Sequence, residues 1–176
     1  MKILFQRSAL VTIGALLLVV WVVGLSAQAK DPLVGTWKQN VAKGSCIVTA
    51  TNAPCGNPPP QVATTRVFED LGNGFMYVMN DGMNAQGMPN GNRIVFKRDG
   101  RDYPIASRGQ TGVVTIAFTV KSSSPWTADY VTKTDGKVTA TATETLSPDG
   151  KTYTATTKAT DAQGRPIVTV LVLEKQ

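Results

Sequence analysis

The chain has 176 residues, with 18 Lys and Arg against 12 Asp and Glu, a net charge of +6, two cysteines and no histidine. This length supports one domain with a core of its own, and the lack of histidine removes Ser-His-Asp and Cys-His catalysis together with the commonest general base. The positive charge is dispersed, and its one local cluster, Lys97-Arg98-Asp99-Gly100-Arg101, carries the aspartate and glycine of a turn, which argues against a nucleic-acid surface.

Residues 1–29 differ from the rest. Lys2 and Arg7 precede an apolar run from Ala9 to Leu25, and Ala27-Gln28-Ala29 follows. That order is a secretory signal cut after Ala29, which sends residues 30–176 to the periplasm or the exterior as one mature domain with no stable membrane span. Loss of Lys2 and Arg7 lowers the net charge of the mature chain from +6 to +4. The apolar run is close to the shortest that can span a bilayer, so an uncleaved N-terminal membrane anchor is the alternative. No cysteine follows the run and the charged region holds a single arginine, so neither a lipoprotein nor twin-arginine export is expected.

The mature chain opens on Gly35-Thr36-Trp37-Lys38. Glycine lets the chain pass close to a neighbouring backbone, and the indole of Trp37 suits the plug at one end of a barrel; the alternative is an ordinary core aromatic. Cys46 and Cys55 have eight residues between them. In an oxidising compartment they form one disulfide, while the spacing is wrong for a Cys-x-x-Cys redox pair and no histidine completes a zinc site. The stapled segment leads into Gly56-Asn57-Pro58-Pro59-Pro60 and reads as a loop. No cofactor or metal is expected.

From Gln61 onward alternating runs are separated by turn signals. Strands are expected at Gly35 to Val41, Thr64 to Asp70, Phe75 to Asn80, Asn92 to Lys97, Val113 to Val120, Asp129 to Lys133, Lys137 to Leu146, Lys151 to Ala159 and Ile167 to Glu174. Eight or nine strands without a helical period give an all-β, antiparallel up-and-down meander. To avoid naked edges it closes into a barrel or folds over as a sandwich. Ala-Gln-Gly-x-Pro occurs at residues 85–89 and 162–166, both reverse turns that prove no duplication.

Strand faces indicate what points inward. Val138, Ala140, Ala142, Glu144 and Leu146 share one face, and Tyr153, Ala155, Thr157 and Ala159 continue it on the next strand. Alanines leave space that larger residues would fill. Glu144 in that space requires a partner, for which Arg66, on one face with Phe68, is the candidate; the alternative puts Glu144 in water or in a surface ion pair. Tyr77, Phe118 and Tyr130 complete the candidate ligand-binding set with Arg66 and Glu144. Trp126, beside Ser122-Ser123-Ser124-Pro125, is expected to contribute less to stability than Trp37.

Asp31-Pro32-Leu33-Val34-Gly35-Thr36-Trp37-Lys38, Asp102-Tyr103-Pro104 and Glu174-Lys175-Gln176 together resemble a family of exported bacterial proteins described as lipocalin-like. The Gly35-x-Trp37 opening is also similar to that of lipocalins and fatty-acid-binding proteins. Thr127-Ala128-Asp129-Tyr130 resembles the lipocalin Thr-Asp-Tyr motif with one extra residue. The resemblance implies an up-and-down, lipocalin-like barrel around a hydrophobic ligand. Fatty-acid-binding proteins hold a carboxylate with Arg-x-Tyr on the last strand, where this chain has Ile167-Val168-Thr169-Val170-Leu171-Val172-Leu173, so that device does not carry over.

The expected function is therefore an exported, non-enzymatic protein that binds a small hydrophobic molecule inside a barrel. The alternative is a structural or interaction protein of the envelope, with a filled barrel and partners met through loops 44–61 and 81–91, the latter holding Met83 and Met88. The interior volume separates the two. Glycosidic chemistry is not expected, because most aspartates sit in or beside turns. Nor is an outer-membrane barrel, since several strands carry threonine and lysine on one face.

Overall fold

A computed structural model of the chain describes residues 30–55, 64–83, 89–107, 112–123 and 126–176. The proposed signal segment, the proline run after Cys55, the first Ala-Gln-Gly turn with Met88, and Ser124-Pro125 lie outside or only partly inside these residues. Among the described residues no helix is long and apolar enough to cross a membrane.

The described residues form twelve strands: β1 (Gly35–Gln39), β2 (Ser45–Val48), β3 (Ala53–Pro54), β4 (Thr65–Gly72), β5 (Phe75–Met83), β6 (Pro89–Phe96), β7 (Tyr103–Ser107), β8 (Val114–Ser123), β9 (Trp126–Thr134), β10 (Lys137–Leu146), β11 (Thr152–Thr160) and β12 (Pro166–Lys175). From β4 to β12 each strand pairs with the next, and β1 pairs with both β4 and β12. Ten strands thus form a closed antiparallel barrel, and β2 and β3 are an appended hairpin. Closure is made by Trp37 opposite Lys175 and Gln39 opposite Leu173 on one side, and by Gly35 to Lys38 opposite Phe68 to Thr65 on the other.

Three strands exceed the nine expected. β7 contains Pro104, which lowers its strand signal, yet Tyr103 and Pro104 pair with β8 while Ile105 to Ser107 pair with β6. β2 and β3 replace the expected loop. Ser45 to Val48 lie along residues 167–170 of β12, and Ile47 and Val48 pair with Pro54 and Ala53. The expected disulfide joins Cys46 to Cys55, and the Cys55 amide donates to the Cys46 carbonyl at 3.0 Å. A short helical turn, Val41–Lys43, separates β1 from β2, so both lie on the same edge of β12 in succession.

The tight turns follow their chemistry. Asn73 with Gly74, and Asp135 with Gly136, all have positive φ, a conformation that Asn, Asp and Gly adopt at least cost. One face assignment needs correction: the β9–β10 register shifts between Val138 and Ala140, and the bulge turns Val138 outward, 59% exposed, while Ala142, Glu144 and Leu146 stay inside.

One end of the barrel is filled. Trp37 is fully buried with Leu33, Phe96, Tyr153 and Leu173, and its Nε1 donates to the Leu33 carbonyl at 2.8 Å. Its ring centroid is 5.8 Å from that of Tyr153, and the Lys175 ammonium lies 5.1 Å from its ring. Gly35 has a φ of +136°, which L side chains rarely adopt, and a Cβ there would meet the Lys175 side chain at 3.3 Å. Conformation and a neighbouring side chain, rather than a neighbouring backbone, therefore explain this glycine. Trp126 is not peripheral: it is 7% exposed, belongs to the same core, and carries the Arg98 guanidinium 5.3 Å from its ring. Arg98, within the expected surface turn, is also paired with Asp31 in a half-buried contact that ties the entry segment across this end.

Candidate ligand-binding cavity

Away from this filled end, inward side chains leave a cavity of about 420 Å3. Its walls are apolar where Phe68 of β4, Val78 of β5, Ile94 of β6, Ile105 of β7, and Ile116 and Phe118 of β8 project inward. Alternation explains these positions: on β5, Met76, Val78 and Asn80 share one face, and the first two are buried. The small residues Ala128, Ala142 and Ala155 are buried in the barrel but do not themselves line this cavity. A second concavity of about 430 Å3, lined by residues such as Asp81, Asn90 and Arg93, adjoins the first at Ser107.

The polar part of the cavity is a connected chain. The Arg66 Nε donates to Asn80 Oδ1, and Asn80 Nδ2 donates to Asn92 Oδ1 at 2.6 Å. Arg66 Nη1 donates to the Tyr153 hydroxyl at 2.9 Å and lies 3.7 Å from Glu144 Oε1. Tyr153 and Glu144 also interact electrostatically, so the guanidinium, phenol and carboxylate form one cluster. The Arg66 guanidinium also lies 5.4 Å from the Tyr153 ring and 5.9 Å from the Phe68 ring. On the other wall, the Tyr130 hydroxyl is 3.2 Å from the Thr157 hydroxyl, and the Tyr130 ring is 5.2 Å from that of Phe118.

Burial governs the protonation of this cluster. Glu144, 3% exposed, has its carboxyl raised above the ordinary value, because loss of water outweighs the nearby Arg66 charge and the interaction with Tyr153. Burial and the Glu144 charge push the Tyr153 phenol well up, and burial followed by Glu144 raises Tyr130. Burial opposes the charge on Arg66, but Tyr153, Glu144 and Tyr130 together hold its pKa above the ordinary value.

Arg66, Phe118, Tyr130 and Glu144 all line this cavity, and the Arg66–Glu144 pairing raised from the sequence is present. Tyr77 does not line it. It lies between inward Met76 and Val78, opposite Glu69 and Val95, and so belongs to the outer face. Sequence reasoning missed Asn80 and Asn92 as members of the polar chain. The signal was available for Asn80, two residues beyond Val78 on the same face. It was absent for Ile105 and Ser107, since β7 had not been recognised.

Comparison with solved structures places the fold. The fluorescent protein UnaG, as its N57A mutant, superposes with a TM-score of 0.56 at 17% identity, covering 82% of this chain and 96% of that one. Wild-type UnaG gives 0.53 at 18% identity, covering 81% and 96% respectively. Rv2717c from M. tuberculosis gives 0.53 at 16% identity, covering 85% of this chain and 96% of its own. No family model and no curated protein matches the chain. At these identities the likeness is one of fold, and the lipocalin-like resemblance holds at the level of the barrel.

Proposed function

We propose that the protein is an exported, non-enzymatic carrier of a small apolar molecule, of the bacterial lipocalin-like kind that its opening and closing segments resemble. The observation that carries this reading is the interior cavity, about 420 Å3 with apolar walls and a compact polar cluster, which falls within the ~300–1,000 Å3 typical of ligand pockets. A barrel serving only as scaffold or interaction surface would have no use for such a space, and the volume therefore favours the carrier over the filled-barrel alternative. Native mass spectrometry of protein purified from its own envelope tests the reading. A retained molecule of mass suited to the cavity is expected, and repeated recovery of the bare chain, with no apolar compound binding on addition, would overturn it.

Export supports a carrier that meets its ligand outside the cytoplasm, and rests on the Lys2, Arg7, apolar-run and Ala27-Gln28-Ala29 pattern. N-terminal sequencing of the mature form is expected to return Lys30 as the first residue. A form beginning at Met1 would instead support the membrane-anchored alternative.

A further inference from the structure

We infer that the cavity selects uncharged ligands bearing a hydrogen-bond acceptor of the carbonyl kind and disfavours free carboxylates; this rests on the carrier reading. Among the described residues that line the cavity, Arg66 is the sole cation and Glu144 the sole anion. A lone guanidinium inside an apolar barrel would draw an anionic head group. Here Glu144, with its Oε1 3.7 Å from Arg66 Nη1, already balances it. An entering carboxylate would bring a second anion beside a buried one, away from the water that would screen them.

The same network decides what kind of neutral group is wanted. Arginine can only donate, so its Nε fixes Asn80 with Oδ1 toward Arg66 and Nδ2 toward Asn92. Asn92 therefore accepts with its oxygen, and its own Nδ2 is left as a donor. Neither that Nδ2 nor Arg66 Nη2 has a hydrogen-bond partner among the described residues. The chain of hydrogen bonds thus runs one way and ends on donors at the cavity wall. A ligand acceptor there would satisfy groups that have no partner among the described residues, while an apolar ligand would bury them unsatisfied.

Displacement of the neutral fluorescent reporter N-phenyl-1-naphthylamine from the full exported chain at neutral pH tests this. Three competitors of similar shape are compared: benzophenone, which carries a carbonyl; diphenylmethane, which has no acceptor; and diphenylacetate, an anion. Benzophenone is expected to displace at roughly tenfold lower concentration than diphenylacetate, and at lower concentration than diphenylmethane although the latter is the more apolar. Glu144→Gln, checked for cooperative unfolding, should narrow the gap between benzophenone and diphenylacetate by about tenfold or more. Asn92→Leu should erase the preference for benzophenone over diphenylmethane. A reporter that binds but yields to diphenylacetate as readily as to benzophenone, or more readily to diphenylmethane, overturns the selectivity and leaves the carrier reading standing. A reporter that never binds overturns the carrier reading, and the selectivity with it. The wild-type comparison decides the matter even if a variant fails to fold.

Discussion

Among the described residues Glu144 is the buried charged one, and its titration should be visible in stability. Its carboxyl is raised, chiefly by burial. Between the ordinary value of 4.5 and the raised one, the folded chain keeps a proton that the unfolded chain has released. Stability from this group therefore declines as pH rises through that interval and is unaffected below it. Asp129, Asp161 and Glu174 act in the opposite sense. Hydrogen bonds from the Lys121 side chain, the Arg165 backbone and the Lys43 side chain, respectively, lower them, so they stabilise above the ordinary carboxyl range and lose that effect as pH falls. Urea unfolding of wild type and Glu144→Gln across a pH series isolates the first effect. The wild type alone should lose stability on rising above the ordinary value, and parallel curves would show that Glu144 ionises as freely folded as unfolded.

The two buried tryptophans make the second residue-scale prediction. Truncation of a buried tryptophan typically removes ~3–5 kcal/mol, and both Trp37→Ala and Trp126→Ala should approach that loss in denaturant unfolding. Trp37→Phe keeps most of the packing but orphans the Leu33 carbonyl, for a loss of about 1–3 kcal/mol. If Trp126→Ala unfolds like wild type, the Arg98–Trp126 contact contributes nothing to that end of the barrel. The role of Trp37 was legible because glycine and tryptophan stand together at the mouth of the first strand. Trp126 was not, because the serine-proline sequence before it gave no sign that it begins β9 as part of the buried core.

Among the elements, the β2–β3 hairpin has a stabilising device of its own. The disulfide closes a short loop, worth somewhat under ~3 kcal/mol in the chain-entropy view. It secures a hairpin that pairs with β12 through β2 but lies outside the ten-strand ring. Replacing both Cys46 and Cys55 by serine should strip amide-exchange protection from residues 45–54 while the barrel still melts in one cooperative step. Loss of protection throughout the barrel would show the hairpin to be part of the closure. The cysteine pairing was legible from spacing, but the strands were not, since Cys46-Ile47-Val48 is short and the proline run beside it argued against a ladder. At the other end of the molecule, Gly91 is opposite Asp81, where an added Cβ would lie 2.4 Å from the Asn80 carbonyl oxygen. Gly91→Ala should therefore force β6 away from β5 beside the cavity, destabilising by ~1–3 kcal/mol. An alanine variant as stable as wild type in urea would mean that the two strands separate there without loss.

For the whole molecule, the meander was legible because its turns carry their chemistry openly: Asn73-Gly74, Asp135-Gly136 and Asp149-Gly150 each announce a reversal. Barrel and sandwich could not be told apart from the same signals, since both dispose of free edges. The difference lies in the pairing of β1 with β12, between residues far apart in sequence that no local pattern relates. The candidate site divides in the same way. Face alternation brought Arg66 and Glu144 together, whereas the orientation of the Asn80 and Asn92 amides depends on a guanidinium in another strand.

That long-range pairing also orders events in time. The hairpins from β4 to β11 need only their own neighbours and can form as each is synthesised. β1 can pair with β4 in the same way, but its other edge must wait, because its partner there, Lys175, belongs to β12, which follows all of these strands in the chain. Until β12 arrives, β1 and β11 both present unpaired backbone, and such edges invite pairing with other chains. Closure between distant strands is also the kind of step that places β-rich proteins among the slower, millisecond-to-second folders. A chain truncated before β12 would not be a smaller barrel. It would be an open, adhesive sheet with β2 set loose as well, so the final ten residues of strand convert a string of hairpins into a vessel.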